Sequence, residues 1–120
     1  MKAAFDTNIL IDFLRGIPDA QRELSRYEGH AISIVTWMEV MAGATPSASE
    51  GTRDFLAAFD LIDLTQDIAE RAVRLRGEHR LKLPDAIVWA SALARSLLLI
   101  TRDERAFPGD DPSIRVPYRF

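Results

Sequence analysis

Four carboxylates stand at the joints of this chain's hydrophobic pattern: Asp6, Glu39, Asp85 and Asp103. Asp6 closes the short apolar run Ala3-Ala-Phe5. Glu39 lies just inside a helical stretch that follows a second such run. Asp85 follows Pro84 at a helix start, and Asp103 comes two residues after the most continuous apolar run, Leu97-Leu-Leu-Ile-Thr101. Brought together, four such groups repel unless a cation lies between them. An all-oxygen donor set suits a hard divalent ion, Mg²⁺ or Mn²⁺. The matching chemistry is phosphodiester hydrolysis, in which the ion activates water, stabilises charge on the phosphoryl oxygens and assists the leaving oxygen. Each acid also has a plainer reading. An Asp before a helix is often a cap or a solvated charge. Glu39 completes a capping box with Thr36.

What would make them a site is the elements that carry them. A first strand ends at Asp6. Thr7 or Asn8 can cap the helix that follows, in which Ile9, Leu10, Phe13 and Leu14 recur at helical spacing before Gly16. Pro18 opens a second helix to Tyr27. Ala31 to Val35 reads as a strand, with Thr36 capping a helix to Gly43. Ala48 to Phe59 is helical, Leu61 to Leu64 a third strand, and Thr65 caps a helix from Gln66 to His79. The stretch Pro84 to Ser96 is apolar nearly all round, as a buried helix is. Leu97 to Thr101 suits a central parallel strand covered on both faces. Arg102 to Phe107 is a turn or short helix, and Ile114 to Val116 an edge strand limited by Pro117.

Strands alternating with helices predict an α/β fold: a three-layer α/β/α sandwich around a mostly parallel sheet. The 120 residues suit a single domain over 1–120. A parallel sheet gathers the C-terminal ends of its strands on one edge, where open α/β sheets bind ligands. Asp6, Glu39 and Asp103 fall on that edge. Asp85 joins them only if its helix points its N-terminus the same way.

There is no cysteine, which excludes disulfides and thiolate metal sites and is compatible with a cytoplasmic location. Asp6 and Asp12 interrupt the first apolar stretch, so it does not read as a signal peptide, and no run approaches a membrane span. His30 and His79 read as surface residues, and Asp12 as a charge on the first helix. The net charge of −3 argues against a nucleic-acid partner, but setting four carboxylates aside in a metal site would turn the balance slightly positive. Arg outnumbers Lys thirteen to two and is the better phosphate fork. Arg80, Lys82, Arg102 and Arg105 flank Asp85 and Asp103 and are the candidate phosphate contacts. Trp37, Met38 and Met41 put more apolar bulk after the second strand than one helix face must bury, which suggests a groove for a partner.

Four stretches carry a family resemblance: Asp6-Thr-Asn-Ile-Leu-Ile-Asp12; Ser33-Ile-Val-Thr-Trp-Met-Glu39 with Gly43; Leu83-Pro-Asp-Ala-Ile-Val-Trp-Ala90; and Leu99-Ile-Thr-Arg-Asp103 with Phe107. In order and spacing they resemble a PIN-domain nuclease, most of all a VapC-type toxin of a bacterial toxin–antitoxin pair. The resemblance implies a PIN-like α/β/α fold and Mg²⁺-dependent ribonuclease activity, with Mn²⁺ as a substitute. It implies that Asp6, Glu39, Asp85 and Asp103 are catalytic acids and metal ligands, supported by Asn8 and Thr101. It further implies an RNA substrate, a VapB-type antitoxin and a homodimer. Two features depart from the pattern. Trp89 stands where a small residue is expected, and Asn is common where this chain has Asp103. Rival readings fit less well. A receiver-type phosphoacceptor domain needs a second acid beside Asp6, where Thr7 stands. An Asp-x-Asp phosphatase needs an acid at position 8, which is Asn8. A catalytically inactive PIN-like binding module is the remaining alternative.

Overall fold

Residues Lys2–Phe5 form β1, the middle strand of a five-stranded sheet of order β3-β2-β1-β4-β5. The structure, a computed structural model, describes all residues 1–120. The other strands are β2 (Gly29–Ser33), β3 (Asp60–Ile62), β4 (Leu98–Ile100) and β5 (Ile114–Arg115), and every pairing is parallel. Between them run α1 (Thr7–Leu14), α2 (Pro18–Ser25), α3 (Ile34–Gly43), α4 (Ser49–Ala57), α5 (Gln66–His79) and α6 (Leu83–Ala94). This is the expected α/β/α sandwich. The segment after β4 forms turns rather than a short helix.

Alternation along the strands divides the core into two layers. Ala4, Ala31, Ile62, Leu99 and Ile114 face one side, where they pack with α5 and the alanines of α6. Ala3, Phe5, Ile32 and Ile100 face the other, with α1, α2, α3 and α4. Small residues on both β1 and α6 let that helix lie close to the sheet. On the opposite face Phe5 is fully buried and meets Tyr27 and Phe59 edge-on, with ring centroids 5.8 and 6.4 Å away. His30 belongs to this layer rather than to the surface. It is half-buried between Phe5 and Phe59, and its Nε2 donates to the Leu24 carbonyl at 2.7 Å.

Trp89 is accommodated without displacing the α6 alanines from the core. Its ring is buried beneath Phe107, which meets it at 90°, and beside the exposed His79. Its Nε1 donates to Ser113 Oγ at 2.9 Å, so the one polar atom of the side chain is satisfied.

Two helix starts differ from the expected ones, and both matter for the site. β2 ends two residues early, and Ser33, not Thr36, caps α3 by accepting from Val35 N at 3.1 Å. Thr36 lies inside the first turn, fully buried, with its hydroxyl unpaired. Glu39 is therefore no capping-box partner and is free for another contact. Ser33→Ala should lower stability by about 1 kcal/mol, the usual worth of a cap. Thr36→Val should instead be neutral or raise it, because it removes an unsatisfied hydroxyl. Urea midpoints of the two variants decide this; a loss at Thr36→Val equal to that at Ser33→Ala would restore Thr36 as the cap. At α1, Asp6 itself is the cap, not Thr7 or Asn8.

Candidate active site

Asp6 leaves the end of β1 and is almost wholly buried, 5 % exposed. Its backbone N–H still belongs to the sheet, donating to the Ile100 carbonyl at 2.9 Å. Its carboxylate is held on both oxygens. Oδ1 accepts from Thr7 N at 2.8 Å; Oδ2 accepts from Thr101 Oγ1 at 2.8 Å and from Asn8 Nδ2 at 3.4 Å. Burial pushes its pKa up to about 6, against the lowering effect of the Thr101 and Thr7 hydrogen bonds, and the charges of Asp85 and Glu39 add to the rise. Asp6 therefore feels two acids that are 33 and 79 positions away in sequence. Asn8 and Thr101, expected as supports, both touch it.

Glu39, freed from capping, accepts from Thr7 Oγ1 at 2.6 Å. Thr7 thus holds Asp6 through its amide and Glu39 through its hydroxyl. Sequence reasoning assigned it only a possible cap, although it stands inside the first motif. Asp85 sits in the first turn of α6, whose N-terminus does point to the same edge. Burial raises its pKa, and the charges of Asp103 and Glu39 raise it further, while Lys82 opposes them. No hydrogen bond contributes to that rise. Asp103 shapes its own turn: Oδ1 accepts from Arg105 N at 3.2 Å and Ala106 N at 3.1 Å, and its amide donates to Thr101 Oγ1 at 3.0 Å. All four acids lie at the C-terminal edge of the sheet, close enough for their charges to be felt. No three of them converge on one point at ligand distance in this conformation. Together they offer only hard oxygen donors.

A cleft of about 480 Å³ opens beside Asp85 and Asp103 and is also lined by Arg80, Lys82 and Arg105. Arg80 adopts the left-handed conformation that ends α5 (φ 56°), and the chain turns there toward α6. Three of the four candidate phosphate contacts therefore border the acids. Arg102 does not. Its guanidinium grips Asp12, Nε to Oδ2 at 2.7 Å and Nη2 to Oδ1 at 3.1 Å, and the Phe120 ring lies 4.5 Å from it. It is not free to take a phosphate. Asp12 likewise is no solvated helix charge: it is 2 % exposed and also accepts from Tyr118 OH at 2.8 Å. The sequence holds no signal for this pairing, because its members are 90 and 106 residues apart.

Fold and site together define an open parallel α/β protein with an acidic crevice at the carboxyl ends of its strands. The sequence model of the PIN domain matches residues 3–108, and the chain belongs to that family. Among solved structures, the chain is similar to one from a toxin–antitoxin complex of Klebsiella pneumoniae. It is 48% identical, 98% of this chain and 99% of that one are covered, and the TM-score is 0.93. More distant likenesses share the fold. A chain of VapBC2 from Rickettsia felis, bound to a DNA fragment from its promoter, is 19% identical with TM-score 0.79, over 100% of this chain and 99% of that one. A chain of DNA-bound VapBC from Salmonella typhimurium is 23% identical with TM-score 0.75, over 96% of each. A search of curated protein sequences gave no match. No helix is long and apolar enough to cross a membrane.

Proposed function

We propose that this chain is a Mg²⁺-dependent endoribonuclease, the toxin of a toxin–antitoxin pair, with Asp6, Glu39, Asp85 and Asp103 as its catalytic acids. The observation that carries the reading is the gathering of four acids on one sheet edge, where Asp6 is buried and feels Asp85 and Glu39, and Asp85 feels Asp103 and Glu39. The donor set fits a hard divalent ion. Mg²⁺ keeps several waters and is commonly held by one or two carboxylates, so a closed protein cage is not required. Mn²⁺ would serve with the same ligands. When bound, the ion supplies an activated water and charge stabilisation at the phosphoryl group.

The chain's own residues supply the rest. Thr7, Asn8 and Thr101 fix the Asp6 carboxylate in one orientation. Asp85, raised by burial and its neighbours and not tied by hydrogen bonds, is suited to take a proton from the attacking water at its carboxylate. Arg80, Lys82 and Arg105 line the adjoining cleft, where RNA phosphates would lie and be oriented.

The antitoxin reading draws on the Klebsiella relative, which comes from a toxin–antitoxin complex. The apolar opening of this chain is not the expected one at Trp37, Met38 and Met41. Trp37 and Met41 pack partly buried on the core, and Met38 alone is exposed, at 51 %. A cleft of about 450 Å³ lies instead between α1 and the end of α3, lined by Ile11, Leu14, Val40, Ala44 and Ala48 among others. It suits an apolar face of a VapB-type antitoxin. The chain would act as a homodimer, as its family resemblance implies.

The test is cleavage of total cellular RNA by the purified protein, free of antitoxin, with Mg²⁺ and with a chelator. Cleavage is expected with the ion only. Equal cleavage in both would overturn the metal-dependent mechanism, and none in either would favour an inactive binding module.

A further inference from the structure

The pair that removes Arg102 from the phosphate contacts has a consequence for the acids. We infer that Asp12, Arg102 and Tyr118 form a clamp that positions Asn8 against Asp6, and so ties the C-terminal segment to the acidic site. The inference rests on the proposed catalytic reading of that site.

Asp12 is buried yet fully engaged: Arg102 takes both its oxygens and Tyr118 OH adds a bond to Oδ2. Phe120 covers the guanidinium. With its side chain held, Arg102 has a fixed backbone, and its N–H donates to Asn8 Oδ1 at 3.1 Å. That bond settles which way the Asn8 amide faces. With Oδ1 satisfied on the Arg102 side, Nδ2 turns to Asp6 Oδ2 and to Thr101 Oγ1, at 3.4 and 3.5 Å. If the Arg102 backbone drifts, Asn8 can rotate and present its carbonyl oxygen to a carboxylate, which repels it. Arg102 also immediately precedes Asp103, whose amide donates to Thr101 Oγ1. One clamp therefore bears on two of the four acids.

The molecule contains a matched control. Glu23, 4 % exposed, is gripped by Arg115 at 2.7 and 3.1 Å and accepts from Tyr27 OH at 3.0 Å. This is the same acid–arginine–tyrosine chemistry without a hydrogen bond to Asn8. Its one link toward Asp6 is the main-chain bond from Thr101 N to the Arg115 carbonyl at 3.0 Å, which continues the β4–β5 ladder and does not depend on the triad's side chains. A buried ion pair adds little net stability over a packed apolar core, so stability alone does not explain either triad. A purely structural role would make the two triads equivalent; a positioning role would not.

The test compares Tyr118→Phe and Arg102→Lys with Tyr27→Phe. Both clamp variants keep the bulk of the side chain, whereas Arg102→Ala would leave Asp12 buried and unpaired. Two readouts are needed: the side-chain amide resonances of Asn8 by ¹⁵N NMR, and kcat and KM for RNA cleavage. In both clamp variants the Asn8 resonances should move, and kcat should fall by about tenfold, the low end for residues that orient a site. KM should stay within roughly twofold, because no substrate contact is lost. Tyr27→Phe should leave the Asn8 resonances and kcat unchanged. Unmoved Asn8 resonances in both clamp variants would overturn the clamp, as would an equal fall in kcat for Tyr27→Phe. If the wild type cleaves no RNA, the nuclease reading fails, and the Asn8 resonances still decide whether the clamp exists.

Discussion

Asp85→Asn is expected to reduce RNA cleavage by roughly 10²–10³-fold, the scale for losing one electrostatic group at a reacting centre. The same variant should melt higher than wild type when metal-free. Asn keeps the shape and removes a charge that its neighbours oppose. Two full charges about 6 Å apart repel by roughly 3 kcal/mol at an effective dielectric near 20. Asp85 is only half-buried, so water screens much of this. The α6 N-terminus works the other way, favouring a negative charge by roughly 0.3–1 kcal/mol. Burial and the charges of Asp103 and Glu39 raise its pKa against Lys82, and they are expected to outweigh the dipole as well. The net gain on substitution should be on the order of 1 kcal/mol. Added Mg²⁺ should then stabilise the wild type more than the variant, since a ligand stabilises the state that binds it. Melting curves with chelator and with Mg²⁺ measure both effects. Equal Mg²⁺ shifts in the two proteins would remove Asp85 from the ligand set.

How much of this was legible depends on the reach of each interaction. The extent of α5, Gln66 to His79, matches the expectation because one cap and one continuous periodicity define it. The all-apolar α6 and the run ending at Ile100 read correctly as core, since no other location could hide them. The end of β2 did not read correctly. Ile34 and Val35 are β-branched and looked like strand, and Thr36 with Glu39 imitated a capping box. Packing of Val35 and Thr36 into the core decided for helix instead. The position of the acids at element ends was visible, because strand ends are local features. Their mutual influence was visible only as a consequence of topology, and for Asp85 it needed the direction of α6. Side-chain partnership across the fold was not visible at all. Arg102 looked like a phosphate contact and Asp12 like a charge on the first helix, and only the fold shows that they answer one another.

The metal-free protein should lose stability as pH rises through the range in which Asp6 titrates differently in its two states. The unfolded chain releases this proton near 3.8, the folded one at about 6. Below pH 4 both states hold the proton, and Asp6 adds no pH dependence. Between 4 and 6 the unfolded chain has lost it while the fold retains it, so stability falls with pH. Above 6 the loss is complete, and a rise from 3.8 to about 6 corresponds to about 3 kcal/mol. Glu23 acts with the opposite sign. Burial tends to raise its pKa, but the hydrogen bonds from Arg115 and Tyr27 hold it below the usual range, so its contribution is lost as pH falls. The two are separated by Asp6→Asn, which retains Glu23 and abolishes only the Asp6 titration. Asn carries a local cost, since its amide would face the donors of Thr101 and Asn8 where Oδ2 now accepts, about 1 kcal/mol or more. That cost changes little with pH, so the comparison between pH values cancels it. Urea midpoints of metal-free wild type and Asp6→Asn at pH 4.5 and pH 7 give the result. The variant should gain on the wild type by on the order of 2 kcal/mol between the two pH values. The proposed Mg²⁺ would bind the deprotonated carboxylate, so adding it at pH 7 should restore much of what the wild type lost and do little for the variant. A gap between the two proteins that is the same at both pH values would mean that Asp6 titrates like an ordinary carboxylate, raised neither by its burial nor by Asp85 and Glu39.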